Sequence, residues 1–191
     1  MLSSVKLREI NLETRVIPRC IHKLLGSRLY YVRIRPRLLT VREAVSRKTV
    51  EDIPFLAVDH DSDPVKILEV GAIAASTAAQ SGGNVDLVNG FDHPRSIISD
   101  FTLAEKTLQH FFLKLYDDAF LKPSPIVIMH PLEKIEGGLT QIEVRALQEL
   151  AMGAGAREAH VWKGRELMDY ELESRSFPQE GWASAKPKWD K

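Results

Sequence analysis

Apolar residues along this chain switch between helical and strand spacing, and the switches mark out a mixed α/β succession. In residues 16–26, Val16, Ile17, Cys20, Ile21, Leu24 and Leu25 recur at i, i+1, i+4, i+5, i+8 and i+9, one face of a helix. Arg15, Arg19, His22 and Lys23 fall elsewhere on that wheel, Pro18 suits its first turn and Gly26 its stop. Residues 29–35 and 38–42 are β-rich runs around Pro36-Arg37, a hairpin with proline confined to the turn. Short strands follow at 53–58 and 65–71, bridged by the polar run Asp59-His60-Asp61-Ser62-Asp63-Pro64. Residues 72–79 read as a small-residue helix ending at Ser81-Gly82-Gly83-Asn84, and 96–98 as a brief strand.

The second half carries stronger signals. Thr102 with Glu105 has the form of a capping box ahead of an apolar stripe at Leu108, Phe111, Phe112 and Leu115. After Lys122-Pro123-Ser124-Pro125, residues 126–129 form a continuous apolar run of the kind a buried strand needs. Thr140 with Glu143 makes a second capping box, leading a helix through Val144, Leu147, Leu150 and Ala151 to Gly153. Residues 159–162 then read as another strand, so this stretch predicts a parallel pair joined by a crossover helix. Beyond Arg175 periodicity is lost, and residues 175–191 are expected as a flexible tail whose Phe177, Trp182 and Trp189 are able to dock on a surface.

Composition adds compartment and charge. The 191 residues are 44% hydrophobic and 27% charged, the profile of an ordinary globular chain, and the single Cys20 has no bridging partner. A reducing cytoplasm is therefore expected. The net charge is zero, yet residues 1–48 hold twelve Lys/Arg against three Glu, a surplus of nine. A basic end on an acidic body suits an anionic surface, either membrane or nucleic acid. Helix 16–26 can accordingly lie in a membrane interface through Ile17, Arg19, Ile21, Lys23, Leu24 and Leu25, or pack on its own domain. No apolar run approaches the roughly 20 residues of a spanning helix, and no secretory signal is evident. No basic motif interleaved with aromatics occurs, so nucleic acid is not the expected partner.

Motifs with catalytic or metal chemistry are missing. Asp59, Asp61 and Asp63 open like a calcium loop, but Pro64 stands where glycine is required and Val70 where the closing Glu belongs. They read as a solvated acidic turn. His22, His60, His93, His110, His130 and His160 occur singly, without the pairing that sets two imidazoles on one helix face. No Walker loop occurs, and Gly153-Ala154-Gly155 follows a helix, where glycines terminate.

One stretch resembles a known family. Asp100-Phe101, Ala104-Glu105-Lys106 and Leu108-Gln109-His110-Phe111 are similar to the MreB helix A-D-F-x-x-T-E-K-M-L-Q-H-F. Pro123-Ser124-Pro125 resembles the start of R-P-S-P-x-V-L-V, Thr140-Gln141-Ile142-Glu143 and Arg145-Ala146 resemble T-Q-V-E-R-R-A, and Gly153-Ala154-Gly155-Ala156-Arg157-Glu158 resembles G-A-G-A-R-E-V. The resemblance covers about residues 16–172 and corresponds to the first half of an MreB protein. It implies an α/β, actin-like (ribonuclease H-like) first domain with a mixed sheet and flanking helices, incomplete relative to the full actin fold. The organisation it implies is a basic segment at 1–28, domain I with subdomains IA and IB at 29–174, and the tail at 175–191.

MreB proteins bind ATP with magnesium between two domains and polymerise beneath the inner membrane. The family's phosphate loop Asp-Leu-Gly-Thr should fall near residues 31–36, where this chain has Tyr31-Val32-Arg33-Ile34-Arg35-Pro36, with neither carboxylate nor glycine. The family's Glu-Glu-Pro, which positions the attacking water, should follow Trp162, where Lys163-Gly164-Arg165 stands. The resemblance therefore implies a non-catalytic protein of the cell-shape cytoskeleton, with no ATPase activity and no cofactor. Its expected partners are full-length MreB or other cell-shape proteins, and its expected place is the cytoplasm, at the inner face of the membrane. The alternatives are a minimal ATP-binding protein with a split site, and a truncated paralogue without a function of its own. An actin-type first domain receives the last helix of the whole chain, so a half-protein is expected to expose apolar surface.

Overall fold

The computed structural model describes residues 28–62, 65–116 and 122–190. Helix 16–26 lies outside the described residues, and with it Ile17, Arg19, Ile21, Lys23, Leu24 and Leu25.

Strands β1 (Leu29–Arg35) and β2 (Leu38–Glu43) form the expected hairpin, paired antiparallel from Tyr30↔Glu43 to Arg35↔Leu38. Strand β3 (Thr49–Asp52) extends it. Residues 53–58, expected as one strand, are divided instead: Ile53-Pro54 separates β3 from β4 (Phe55–Asp59), and the two belong to different sheets. Proline has no N–H to give a ladder, so the chain changes sheets there. Strand β4 lies between β5 (Lys66–Val70) and β6 (Val85–Asn89) in an antiparallel three-stranded sheet, with α1 (Ala72–Gln80) packed beside it.

Helix α2 (Phe101–Leu115) begins before the expected capping box. Asp100 is its N-cap, and its carboxylate accepts the Leu103 N–H at 2.9 Å. A charged acceptor at the N-cap also meets the helix dipole, and it takes precedence over Thr102. Glu105 instead accepts from Gln109 at 3.1 Å. Residues 96–98 form no strand; they belong to a loop closed by the Ser99 N–H on the Gly90 carbonyl at 2.8 Å. Gly90 permits that closure, because a Cβ there would lie 2.4 Å from the Ala104 backbone nitrogen. Removing the cap, as in Asp100→Ala, is expected to cost about 1 kcal/mol in urea unfolding.

The remaining elements form the predicted crossover. Strand β7 (Ile126–Pro131), helix α3 (Gln141–Gly153) and strand β8 (Glu158–Val161) make a parallel β–α–β unit, and the Thr140–Glu143 box is formed in both directions. All six residues of β7 are buried, as its continuous apolar run requires. The main sheet has the order β3-β2-β1-β7-β8, with β7 parallel to β1.

Both faces of this sheet are covered. On one, Tyr30, Val32, Val127 and Met129 pack with Leu108, Phe111 and Phe112 of α2 and Leu147 and Leu150 of α3. On the other, Leu29, Tyr31, Ile126, Ile128 and Trp162 pack with Leu167, Leu172 and Phe177, flanked by Trp182 and Trp189. Leu172 lies in a short helix, α4 (Asp169–Ser174), which periodicity did not announce. The segment expected as a flexible tail is thus docked by its aromatic residues, and this second face of the sheet is covered. The cause is hydrophobic and edge-to-face aromatic packing, with Trp162–Trp182 centroids at 5.1 Å and Phe177–Trp182 at 5.3 Å.

Candidate functional site

In open α/β sheets ligands meet the carboxyl ends of the strands. Here that place is the end of β1 beside β7, on the face that carries Tyr31, Arg33 and Arg35. The pleat sets these three residues on one side, and the register places Arg33 between Thr40 of β2 and His130 of β7. Glu166, from the segment after β8, reaches over both arginines. Arg33 Nη1 donates to Glu166 Oε2 at 2.7 Å, and Arg35 Nη2 to Glu166 Oε1 at 3.3 Å. One carboxylate thus uses both oxygens on two guanidinium groups. Glu51 lies 3.8 Å from Arg33, Glu133 lies 3.8 Å from Arg35, and Thr40 donates to Glu51 at 2.7 Å. The Arg33 bond is the main reason the Glu166 carboxyl sits below the usual carboxylate range.

Beneath these charges lies a buried polar pair. Tyr31 Oη is 2.5 Å from His130 Nδ1 and accepts the Leu167 N–H at 3.2 Å. Burial pushes the Tyr31 phenol up to about 12 and the His130 imidazole down to about 4. The neutral ring therefore accepts a hydrogen bond from the Tyr31 hydroxyl. With the hydroxyl engaged twice and both side chains sealed from solvent, the pair orders the sheet face and the segment after β8.

The positions singled out by sequence fall as follows. Residues 31–36 form the end of β1 and the hairpin turn, with Asn89 Nδ2 donating to the Pro36 carbonyl at 2.7 Å. Of Lys163-Gly164-Arg165, Arg165 turns away to a bidentate pair with Glu171 at 2.5 and 2.9 Å. Asp59 closes its own turn, accepting from Asp61 N at 3.0 Å and Ser62 Oγ at 2.6 Å. Among the described residues no group of three or more His, Cys, Asp or Glu side chains is arranged to hold a metal ion. Sequence reasoning missed Glu166, which meets Arg33 across 133 positions with no local signal.

ATP with magnesium fits poorly against this half of a site. A phosphate needs glycine backbone or free cationic groups, and the magnesium shell needs an unpaired carboxylate. The arginines here are already paired, and each carboxylate of the cluster lies against an arginine.

The fold itself is shared with solved structures. The structure is similar to MreB5 of Spiroplasma citri bound to ADP (TM-score 0.57, 16% identity, 72% of this chain and 38% of that one). It is also similar to a non-polymerising MamK mutant bound to AMPPNP (TM-score 0.55, 14% identity, 71% of this chain and 40% of that one). These likenesses define an actin-like α/β fold, present in part. The family model described as MreB/Mbl protein matches residues 48–167, and the chain belongs to that family. It is 35% identical over 100 residues to the cell shape-determining protein MreB of Escherichia coli K12, a match covering 52% of this chain. The chain spans about a quarter of that relative's length, 27%.

Proposed function

We propose that this chain is a non-catalytic MreB-type module of the cell-shape cytoskeleton, which binds full-length MreB filaments and does not hydrolyse ATP. The observation that carries the reading is the Glu166 carboxylate clamped by Arg33 and Arg35 where the family's phosphate loop is expected. Phosphoryl transfer is catalysed by positioning and charge, and here the charges position one another. The covered second face of the sheet speaks against a decayed fragment, since a decayed half would leave Tyr31, Ile128 and Trp162 in water.

The cytoplasmic face of the membrane is the proposed location. No helix among the described residues is long and apolar enough to cross a membrane, and Ile17, Arg19, Ile21, Lys23, Leu24 and Leu25 are the proposed contact. Co-sedimentation with polymerised MreB tests the partner. The chain is expected in the pellet with filaments and in the supernatant without them. Recovery in the supernatant under both conditions, with filament length unchanged, rules the proposal out.

A further inference from the structure

One end of the main sheet gathers cations around an exposed apolar tip. The parallel strands β1 and β7 begin at this end, β2 finishes there and β3 starts there. The turn between β2 and β3 lies against the start of β1, where the Ala44 N–H donates to the Leu29 carbonyl at 2.9 Å. Glu43 shapes the turn from within: its two carboxylate oxygens accept the Val45 N–H at 3.4 Å and the Ser46 N–H at 2.6 Å. Arg47 closes it in the left-handed region, at φ 58°. Val45 is left at the tip, 75% exposed.

Basic side chains from three neighbouring segments meet at this end. Lys48 Nζ donates to the Lys114 carbonyl at 2.9 Å, which ties the turn to the last turn of α2, where the Lys114 side chain is exposed. The Arg28 guanidinium lies over the Tyr116 ring at 5.3 Å, and Tyr116 Oη donates to the Pro123 carbonyl at 2.5 Å, next to the exposed Lys122. From the turn to the start of β7 the described charged residues are Arg28, Arg47, Lys48, Lys114 and Lys122 against Glu43 and Glu173, five cations to two carboxylates. Both carboxylates are engaged, Glu43 within the turn and Glu173 with Arg47 at 2.6 Å. Asp117 and Asp118 lie outside the described residues.

We infer, resting on the membrane location proposed for this chain, that the β2–β3 turn is a second contact with an anionic lipid surface, its Val45 tip entering the headgroup layer and Lys114 and Lys122 lying against the phosphates. Only Ser27 and Arg28 separate residues 16–26 from β1, so that segment joins the fold at this same end. From Arg15 to Gly26 the chain carries Arg15, Arg19 and Lys23 and no carboxylate. A single short anchor binds a bilayer marginally, and a basic patch beside it supplies the second signal that stable attachment needs. A protein partner fits less well, because one apolar residue among lysines lacks the apolar, charge-depleted centre of a protein interface.

The test is co-sedimentation of the full chain with phosphatidylcholine vesicles, with and without about one third phosphatidylglycerol, at low salt. Wild type is expected in the pellet with the anionic vesicles alone. Val45→Ser, and Lys114→Gln combined with Lys122→Gln, are each expected to lower the partition coefficient about fivefold or more, with native far-ultraviolet circular dichroism. Ile142→Ser is the control: Ile142 is 82% exposed at the start of α3, which follows the far end of β7, and its variant is expected to bind like wild type. Leu24→Glu combined with Leu25→Glu is expected to lower binding through residues 16–26. Full binding by both turn variants, with loss in the Leu24 and Leu25 double variant, overturns the second contact and leaves the first standing. An equal loss in Ile142→Ser also overturns it, since any exposed apolar residue would then serve. Failure of wild type to bind either vesicle removes the membrane location and the second contact together.

Discussion

Trp162→Ala is expected to lower stability by about 4 kcal/mol in urea unfolding, within the range for truncating a fully buried large aromatic. Trp162 has no solvent exposure, packs against Phe177 at 6.2 Å and Trp182 at 5.1 Å, and donates its indole N–H to the Arg165 carbonyl at 2.7 Å. The surrounding backbone is shaped to it, since a Cβ at Gly181 would lie 1.9 Å from Trp162 Cη2. Removing the ring therefore leaves a cavity, strands a carbonyl and undocks the C-terminal segment together. A loss below about 1 kcal/mol, the size of a surface effect, would show that the covered face adds little to the fold.

Acid is expected to remove a comparable amount. His130 is buried and pushed from 6.5 down to about 4, and the partly buried His110 on α2 is pushed down to about 4 as well, chiefly by burial. Between those values the unfolded chain binds protons that the folded chain refuses. Stability is therefore full above about 6.5, falls as pH drops, and is lost once pH has passed through 4. His130 alone accounts for on the order of 3 kcal/mol. Urea midpoints taken from about pH 7 down to about pH 4 should fall steeply in wild type and less steeply in His130→Gln. Equal slopes in the two proteins would mean that His130 charges freely in the folded state.

How far these features were legible in the sequence depended on whether their causes were local. Helix α3 and its cap were readable because Thr140 and Glu143 bond within one turn, and β7 because a buried strand needs a continuous apolar run. The cap of α2 was misplaced by two residues, since Thr102 and Glu105 have the right spacing but Asp100 makes the bond. Strands β3 and β6 lack the apolar alternation that marks a strand, because each is an edge strand and neither has a fully buried residue. The C-terminal segment was legible only as three aromatic residues able to dock: Phe177, Trp182 and Trp189 follow neither period and are ordered by the face they cover. The Arg33–Glu166–Arg35 clamp was beyond local reading altogether. Sequence showed that glycine and carboxylate were missing from residues 31–36, but not that a distant glutamate takes up the arginines standing there.

The clamp also makes the central claim measurable. Calorimetric titration of the full chain with ATP and magnesium is expected to give no saturable heat at concentrations up to about 1 mM. Saturable one-to-one binding in the micromolar range would contradict the account, because nucleotide would then be displacing Glu166 from Arg33 and Arg35.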